Sequence, residues 1–486
     1  MKSLKELLYK VPIEAIVGKT DLAITSLCFD SREVKKHTLF FALKGVSVDG
    51  HQFIDTAIKK GASVIICETL PELFIDSVVY VQVANAHIAL GIIAANFFDN
   101  PSNHLNLIGI TGTNGKTTIA TLLFSLFKEQ GHASGLLSTV AVRYANFSEQ
   151  ATHTTPDPIQ INAYLKKMLA EGVTHCFMEV SSHGIAQNRI SGLYFSGGIF
   201  TNLTHDHLDY HKNFENYRNI KKVFFDQLPK EAFALTNIDD KNGRFMLQNT
   251  KAKRYTYALS QYADFNVKIL ESQLSGMLLK LDQQEVWSTL VGKFNALNLN
   301  AVFAASKLLG IETLEVLKQI SCLKSVPGRF QLLHSNDAIT VIIDYAHTPD
   351  ALENTLKTIN EIRTKNETLI TVIGCGGNRD RDKRPLMGKA AAAGSDKVIF
   401  TSDNPRNENP GVIIEEMIQG VSPENYKKVL KVTLREEAIA VAKQMCQNGD
   451  IVLIAGKGHE DYQEIEGKRF PFDDYQIAQK IFLNQA

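Results

Sequence analysis

The run Thr111-Gly112-Thr113-Asn114-Gly115-Lys116-Thr117-Thr118 lies between an apolar segment, Leu105-Asn106-Leu107-Ile108-Gly109-Ile110, and a stretch with helical spacing. Small residues there let backbone N–H groups close around phosphate oxygens at a helix N-terminus. Lys116 can place its charge on the outer phosphates, and the Thr117 hydroxyl can ligate magnesium. The usual phosphate-loop pattern has glycine where this chain has Ile110, yet strand, loop and helix follow in the required order. Farther on, Thr174-His175-Cys176-Phe177-Met178-Glu179-Val180 reads as a buried strand ending at Glu179, followed by Ser181, Ser182 and His183. A carboxylate at such a strand end is either a hard oxygen ligand for magnesium or a capping acid. The segment His205-Asp206-His207-Leu208-Asp209-Tyr210-His211 is dense in histidine and by residue type alone also suits zinc. Lys221 and Lys222 come next and, by type alone, are solvated charges.

Three more polar clusters each follow an apolar strand-like run: Asp344-Tyr345-Ala346-His347-Thr348-Pro349, Ser402-Asp403-Asn404-Pro405-Arg406 and Gly456-Lys457-Gly458-His459-Glu460. In open α/β sheets ligands gather beyond the carboxyl ends of strands, so these clusters mark a second site. The turn Gly374-Cys375-Gly376-Gly377 invites a dinucleotide-binding reading, but no GxGxxG continues it.

The elements that must position these groups alternate between short β-rich runs and helical patterns, an α/β signature. At 486 residues the chain is long enough for about three domains. A small α/β unit over 1–100 is expected to end at the polar turn Asn100-Pro101-Ser102-Asn103. A central mononucleotide-binding α/β domain over 101–325 is built on the phosphate loop. Its helix carries Ile119, Leu122, Leu123, Leu126 and Phe127 at helical spacing and stops near Gly131. Beyond Val326-Pro327-Gly328, residues 326–486 read as a Rossmann-like, doubly wound, mostly parallel sheet.

Composition excludes several classes. Lys+Arg and Asp+Glu both number 52, so no global field recruits nucleic acid or an anionic membrane, and anionic ligands need local groups. The six cysteines are scattered with no CxxC pair, which argues against a disulfide framework or a thiolate zinc site. The start carries charges through any would-be signal core, and the apolar stretch from Ile88 to Phe98 is too short to cross a bilayer. The expectation is a cytoplasmic monomer.

The variant loop over 111–118 resembles that of the Mur ligases and the related folylpolyglutamate synthetases, which activate a carboxylate as an acyl phosphate and capture it with an amine. The resemblance continues through both halves of the chain. It implies ATP on Gly112, Thr113, Asn114, Gly115, Lys116, Thr117 and Thr118, with Asn295 of Gly292-Lys293-Phe294-Asn295 near the adenine and Arg329, Asp344 and His347 approaching from the last domain. It implies magnesium on Thr117, Glu179, His207 and Lys221, the lysine carbamylated by carbon dioxide, with Lys116, Glu179, His207 and Lys221 as the catalytic set. Tyr217-Arg218-Asn219-Ile220-Lys221 departs from the family's YxxAK only in Ile220. Segments around Ser31, Thr154, Thr155, Ser181, Gln187 and Arg189 resemble those that hold the UDP-sugar peptide; by themselves they are turns and a surface charge.

Asp403-Asn404-Pro405-Arg406 resembles the segment by which the diaminopimelate-adding members grip the far carboxylate of their amino acid. A guanidinium suits that carboxylate and would repel lysine's lone ammonium. Arg384, Gly456 and Glu460 match the other amino-acid contacts, whereas Asn378 stands where relatives often have aspartate. The expected activity is ATP-dependent addition of meso-diaminopimelate to UDP-N-acetylmuramoyl-L-alanyl-D-glutamate. A lysine-adding relative, a phosphate-loop ATPase without ligase activity and a nicotinamide oxidoreductase are the alternatives.

Overall fold

Three mainly parallel sheets succeed one another along the chain, each covered by the helices that connect its strands. The computed structural model describes residues 1–45, 48–204, 206 and 208–483. The first sheet has five strands in the order Ile13–Val17, Val79–Val83, Ala62–Cys67, Thr38–Phe41 and Ser26–Cys28. The strand Ile13–Val17 is antiparallel and forms one edge; the others are parallel. The apolar helix Ala86–Phe97 is buried on most of its circumference because it packs both on this sheet and on the helix Pro158–Ala170. A Cβ at Gly91 would stand 2.4 Å from the Ser191 carbonyl oxygen, so only glycine permits that close approach. No helix among the described residues is long and apolar enough to cross a membrane.

The second sheet has eleven strands, with Asn106–Thr111 between His175–Glu179 and Gly197–Phe200 in its parallel part. Register aligns Glu179 with Ile110 and Phe200 with Thr111. The three segments therefore leave the sheet side by side, carrying the phosphate loop, Glu179 and residues 201–204 to one edge. The helix Lys116–Glu129 buries Ile119, Leu122, Leu123, Leu126 and Phe127, each about 1.5–3 kcal/mol of transfer free energy. Antiparallel strands Ala141–Tyr144 and Phe147–Gln150 extend one end of the sheet, and Gly276–Leu281 and Gln284–Ser288 the other.

The third sheet runs Gln331–His334, Thr340–Asp344, Ile451–Ala455, Leu369–Ile373, Lys397–Phe400 and Val429–Lys431, parallel except for its first strand. Apolar clusters fill both of its faces. At its carboxyl edge Asp344, Ala455, Ile373 and Phe400 follow one another in register, which brings the clusters after Asp344, Phe400 and Ala455 to the same edge. Behind that edge the Arg435 guanidinium makes a bidentate pair with Asp474 (2.8 and 2.7 Å) and donates to the Ala455 carbonyl (2.9 Å). Both side chains are fully buried. A two-stranded hairpin, Tyr462–Ile465 with Lys468–Pro471, and the helix Asp474–Phe482 complete the chain.

Candidate active site

The phosphate loop is held open by the segment beside it. Asn202 accepts from the Thr113 N–H on its carbonyl (2.8 Å) and from the Asn114 N–H on its side chain (2.9 Å), while the Thr201 hydroxyl donates to the Asn114 carbonyl (2.6 Å). Gly112 has φ +148, and a Cβ there would lie 1.9 Å from the Thr201 hydroxyl oxygen. The helix Phe214–Asp226, capped by Asn213, turns Tyr217 and Lys221 to the same buried face, one helical turn apart. Tyr217 shares a 3.1 Å hydrogen bond with the Thr113 hydroxyl, and its ring lies 4.8 Å from Lys221 Nζ.

Lys221 Nζ and Lys116 Nζ each donate to the Gly112 carbonyl at 2.9 Å. Two ammonium groups on one acceptor repel, and Lys221 is only 1% exposed. Burial first, and then the Lys116 charge, hold the Lys221 amine well below its usual pKa. Burial also lowers Lys116, with Glu179 opposing the shift.

Glu179 is fully buried; one carboxylate oxygen accepts from the Thr139 N–H (2.7 Å), while the other has no hydrogen-bond partner among the described residues. An orphaned anionic oxygen facing the same cavity as the Thr117 hydroxyl and Lys221 fits a hard divalent cation. Among the described residues no three His, Cys, Asp or Glu side chains cluster to hold a metal alone. His207 lies outside the described residues.

These groups open into one cavity of about 870 Å³ between the second and third sheets. All of 112–118 line it, together with Glu179 and Lys221. Thr154, Thr155, Ser181, Gln187 and Arg189 line it as well, tied into one network. Thr155 donates to the Glu179 carbonyl (2.9 Å), and Arg189 donates to the Thr155 carbonyl (2.7 Å) and to Gln187 (2.7 and 3.0 Å). From the third sheet come Arg329, Asp344, His347 and Glu460. Arg329 stacks 4.3 Å over the Tyr345 ring and reaches the Thr117 hydroxyl at 3.3 Å, and Gln150 donates to Asp461 (3.0 Å). The two sheets thus meet across the cavity. Burial keeps the Asp344 carboxyl above its usual range and His347 below its own.

Some expected residues stand elsewhere. Ser31 is buried outside the cavity lining, and the Asn295 side chain turns back to the Val291 carbonyl (2.9 Å); Asn298, three residues on, lines the cavity. The Arg384 guanidinium is fully buried and committed to Glu408 (both bonds 2.9 Å), Glu416 and the Gly376 carbonyl, so it does not reach the cavity. Arg379, unassigned by sequence reasoning, is exposed and lines it. Its signal was its place directly after the Gly376-Gly377-Asn378 turn, where Asn378 takes a left-handed φ of +51.

Asp403, Asn404, Pro405, Arg406 and Gly456, expected to meet the amino acid, do not line the cavity; they stand behind Glu460, which does. Asn404 donates to Glu460 (2.8 Å), and Asp403 packs where a Gly456 side chain would stand, 2.9 Å away. Burial and the Asp403 charge raise the Glu460 carboxyl. Arg406 donates to the Gly377 carbonyl (2.8 Å) and to Glu464 (3.1 Å).

Residues 110–306 match the Mur ligase middle domain, 328–458 the glutamate ligase domain of Mur ligases, and 23–98 the Mur ligase family's catalytic domain. A Cytophaga hutchinsonii protein named UDP-N-acetylmuramoyl-L-alanyl-D-glutamate–2,6-diaminopimelate ligase is 52% identical over 479 residues, 98% of each chain. The chain belongs to the Mur ligase family. A Bacteroides fragilis Mur ligase of the same name is 51% identical over 479 residues, covering 99% of both chains. A solved structure bearing that name aligns with TM-score 0.71 and 32% identity over 99% of each chain. Family membership makes this protein an ATP-dependent ligase with the three-domain α/β architecture of the Mur ligases. It sets aside the reading as a nicotinamide oxidoreductase and that as an ATPase without ligase activity.

Proposed function

We propose that this Mur ligase joins meso-diaminopimelate to the D-glutamyl carboxylate of UDP-N-acetylmuramoyl-L-alanyl-D-glutamate at the expense of ATP. The observation that carries the reading is the single cavity into which the phosphate loop, Glu179, Lys221 and Glu460 all open, in a chain that matches the diaminopimelate ligases from end to end.

The backbone of 112–118 cradles the ATP phosphates, and Lys116 offsets charge developing on the transferring phosphoryl group. Arg329, stacked on Tyr345, brings a second positive charge to Thr117 from the opposite sheet. Arg189, Gln187, Thr155 and Thr154 orient the acceptor so that its carboxylate oxygen attacks the γ-phosphorus; the bond from that phosphorus to the β–γ bridging oxygen breaks, ADP leaves and an acyl phosphate forms. Magnesium, when bound, neutralises and aligns the phosphate oxygens; Glu179, Thr117, His207 and carbamylated Lys221 would hold it.

Lys221 is suited to carbamylation because only the neutral amine adds carbon dioxide, releasing a proton, and its site disfavours the ammonium. Glu460 receives an ammonium of the amino acid, and Arg406 together with Arg379 its far carboxylate; Arg379 replaces Arg384 in that part. The free amine displaces phosphate and forms the amide. Contact between the sheets across the cavity keeps water from the acyl phosphate.

ADP release with the UDP-dipeptide, comparing meso-diaminopimelate with L-lysine, tests the reading. Strong preference for diaminopimelate is expected. Preference for lysine would remove the amino-acid assignment, and ADP release independent of any amino acid would remove the ligase mechanism. For the carbamate, Lys221→Ala should be inactive and partly restored by a short carboxylate; unchanged activity without one would eliminate it.

A further inference from the structure

Residues 402–405 belong to no helix or strand, and Arg406 is held at a left-handed φ of +51. Something outside the segment must fix its shape. The hairpin Tyr462–Ile465/Lys468–Pro471 lies against it and meets it residue by residue. Gln463 donates its side-chain amide to the Asp403 carbonyl (2.6 Å), and the Glu464 N–H donates to the Asn404 side chain (2.9 Å). The Arg406 N–H donates to the Glu464 carbonyl (2.9 Å), and the Glu466 N–H to the Arg406 carbonyl (2.8 Å). The buried Lys457 ammonium ties the start of the hairpin to the same place, donating to the Tyr462 carbonyl (2.6 Å). The Glu464 carboxylate then accepts from Arg406 Nε (3.1 Å), while Nη1 is spent on the Gly377 carbonyl (2.8 Å). With those two bonds the guanidinium plane is set, and among the described residues Nη2 has no hydrogen-bond partner.

We propose that this hairpin is the template that shapes the amino-acid pocket, and that Glu464 is a positioning residue aiming Arg406 Nη2 at the substrate's far carboxylate. The inference rests on the reading that 403–406 receives the amino acid. A two-stranded hairpin is marginal alone, and its second strand is exposed throughout, so its attachment to 403–406 is what keeps it in register. The two-residue turn Glu466-Gly467, both at positive φ (+48 and +73), sets that register. Glu464 is three-quarters buried and, like Arg406, lies outside the lining of the main cavity, so the pair does not meet ATP or the acceptor peptide, and the carboxylate, bonded to Nε, holds the guanidinium.

The test uses the full-length protein and the ADP-release assay, varying meso-diaminopimelate at saturating ATP and UDP-dipeptide. Wild type, Glu464→Ala, Glu464→Gln and Arg406→Ala are compared, with thermal unfolding confirming that each is folded. Glu464→Ala should raise KM for diaminopimelate about tenfold, leaving KM for ATP and kcat within about twofold. Glu464→Gln keeps an oxygen for Nε and should return KM to within about threefold of wild type. Unchanged KM in Glu464→Ala, or a parallel rise in KM for ATP, overturns the proposal. So does Glu464→Gln as impaired as Glu464→Ala, which would assign the effect to charge rather than placement. If Arg406→Ala is impaired and Glu464→Ala is not, the positioning role alone fails; if Arg406→Ala is also unaffected, the pocket reading fails with it.

Discussion

Replacing Asp474 by asparagine should destabilise the last domain without touching any group that meets substrate. Arg435 and Asp474 are both completely buried, and their bidentate pair satisfies Nε and one terminal nitrogen of the guanidinium. The other terminal nitrogen already lacks a partner. Asparagine keeps one acceptor oxygen but removes the compensating charge and turns an N–H toward the cation. Breaking a buried pair from one side costs about 3–5 kcal/mol, because the remaining charge stays desolvated. In a domain of this size about 1 kcal/mol moves Tm by roughly 2–4 °C, so the transition should fall by roughly 6–20 °C. Thermal unfolding followed by circular dichroism would read the shift, with urea unfolding giving the free energy independently. The double variant Arg435→Met/Asp474→Leu replaces the pair with apolar groups and should recover stability to within about 1 kcal/mol of wild type. A loss below about 1 kcal/mol in Asp474→Asn would refute the claim that the pair is desolvated and tightly coupled. At permissive temperature the variant should also raise KM for the amino acid, since Arg435 holds the carbonyl just ahead of the 456–460 loop.

Three further outcomes follow from the site. Tyr217→Phe removes the buried hydrogen bond to Thr113 while keeping the ring over Lys221; a loss of about 1 kcal/mol should raise KM for ATP about fivefold, with KM for diaminopimelate unchanged in the same assay. Gly112→Ala drives a methyl group into the Thr201 hydroxyl and should weaken ATP binding at least about 100-fold in calorimetry, leaving UDP-dipeptide binding intact; ATP affinity within about threefold of wild type would show that the loop yields. Acid unfolding should have two contributions of the same sign. His175, lowered from 6.5 to about 4 by burial, favours the folded state above its ordinary pKa and loses that contribution as pH falls from 6.5 toward 4. Glu408, lowered from 4.5 to about 2 mainly by its bonds to Arg384, loses its contribution as pH falls from 4.5 toward 2. His175→Gln should flatten the upper part of the stability-against-pH curve, and a curve identical to wild type would exclude His175 as its source.

Much of this was legible before any coordinates, for a physical reason. Helix and strand periodicity reports burial directly, so Asn106–Thr111, Lys116–Glu129 and the alternating elements from Thr340–Asp344 to Ile451–Ala455 could be read from apolar spacing. The phosphate loop was legible because its chemistry depends on local backbone shape. Residues whose role depends on distant neighbours were harder. Arg384 and Arg379 are near one another in sequence, and only packing decides that Glu408 and Glu416 capture the first while the second reaches the cavity. Asn295 and Asn298 differ in the same way: one serves its own helix and the other faces the loop. The edge strands Ile13–Val17 and Gln331–His334 were not singled out because in runs this short the residue types Ile-Glu-Ala-Ile-Val and Gln-Leu-Leu-His do not alternate between apolar and polar, even though the first alternates in exposure once folded. The Glu466-Gly467 turn was a readable hairpin signal that gained meaning only once the hairpin was seen against 403–406.

The strand Ile451–Ala455 has a consequence for how the protein is made. It inserts between Thr340–Asp344 and Leu369–Ile373, two strands that leave the ribosome well before it. Until it is synthesised, both present unpaired backbone edges flanked by apolar side chains, a state prone to pairing with other chains. The first two sheets can close during translation, because all their strands precede residue 289. The third must wait for its middle to arrive. Folding of that domain therefore waits on Ile451–Ala455, and a translation product stalled before that strand would carry two finished domains and a third with open strand edges.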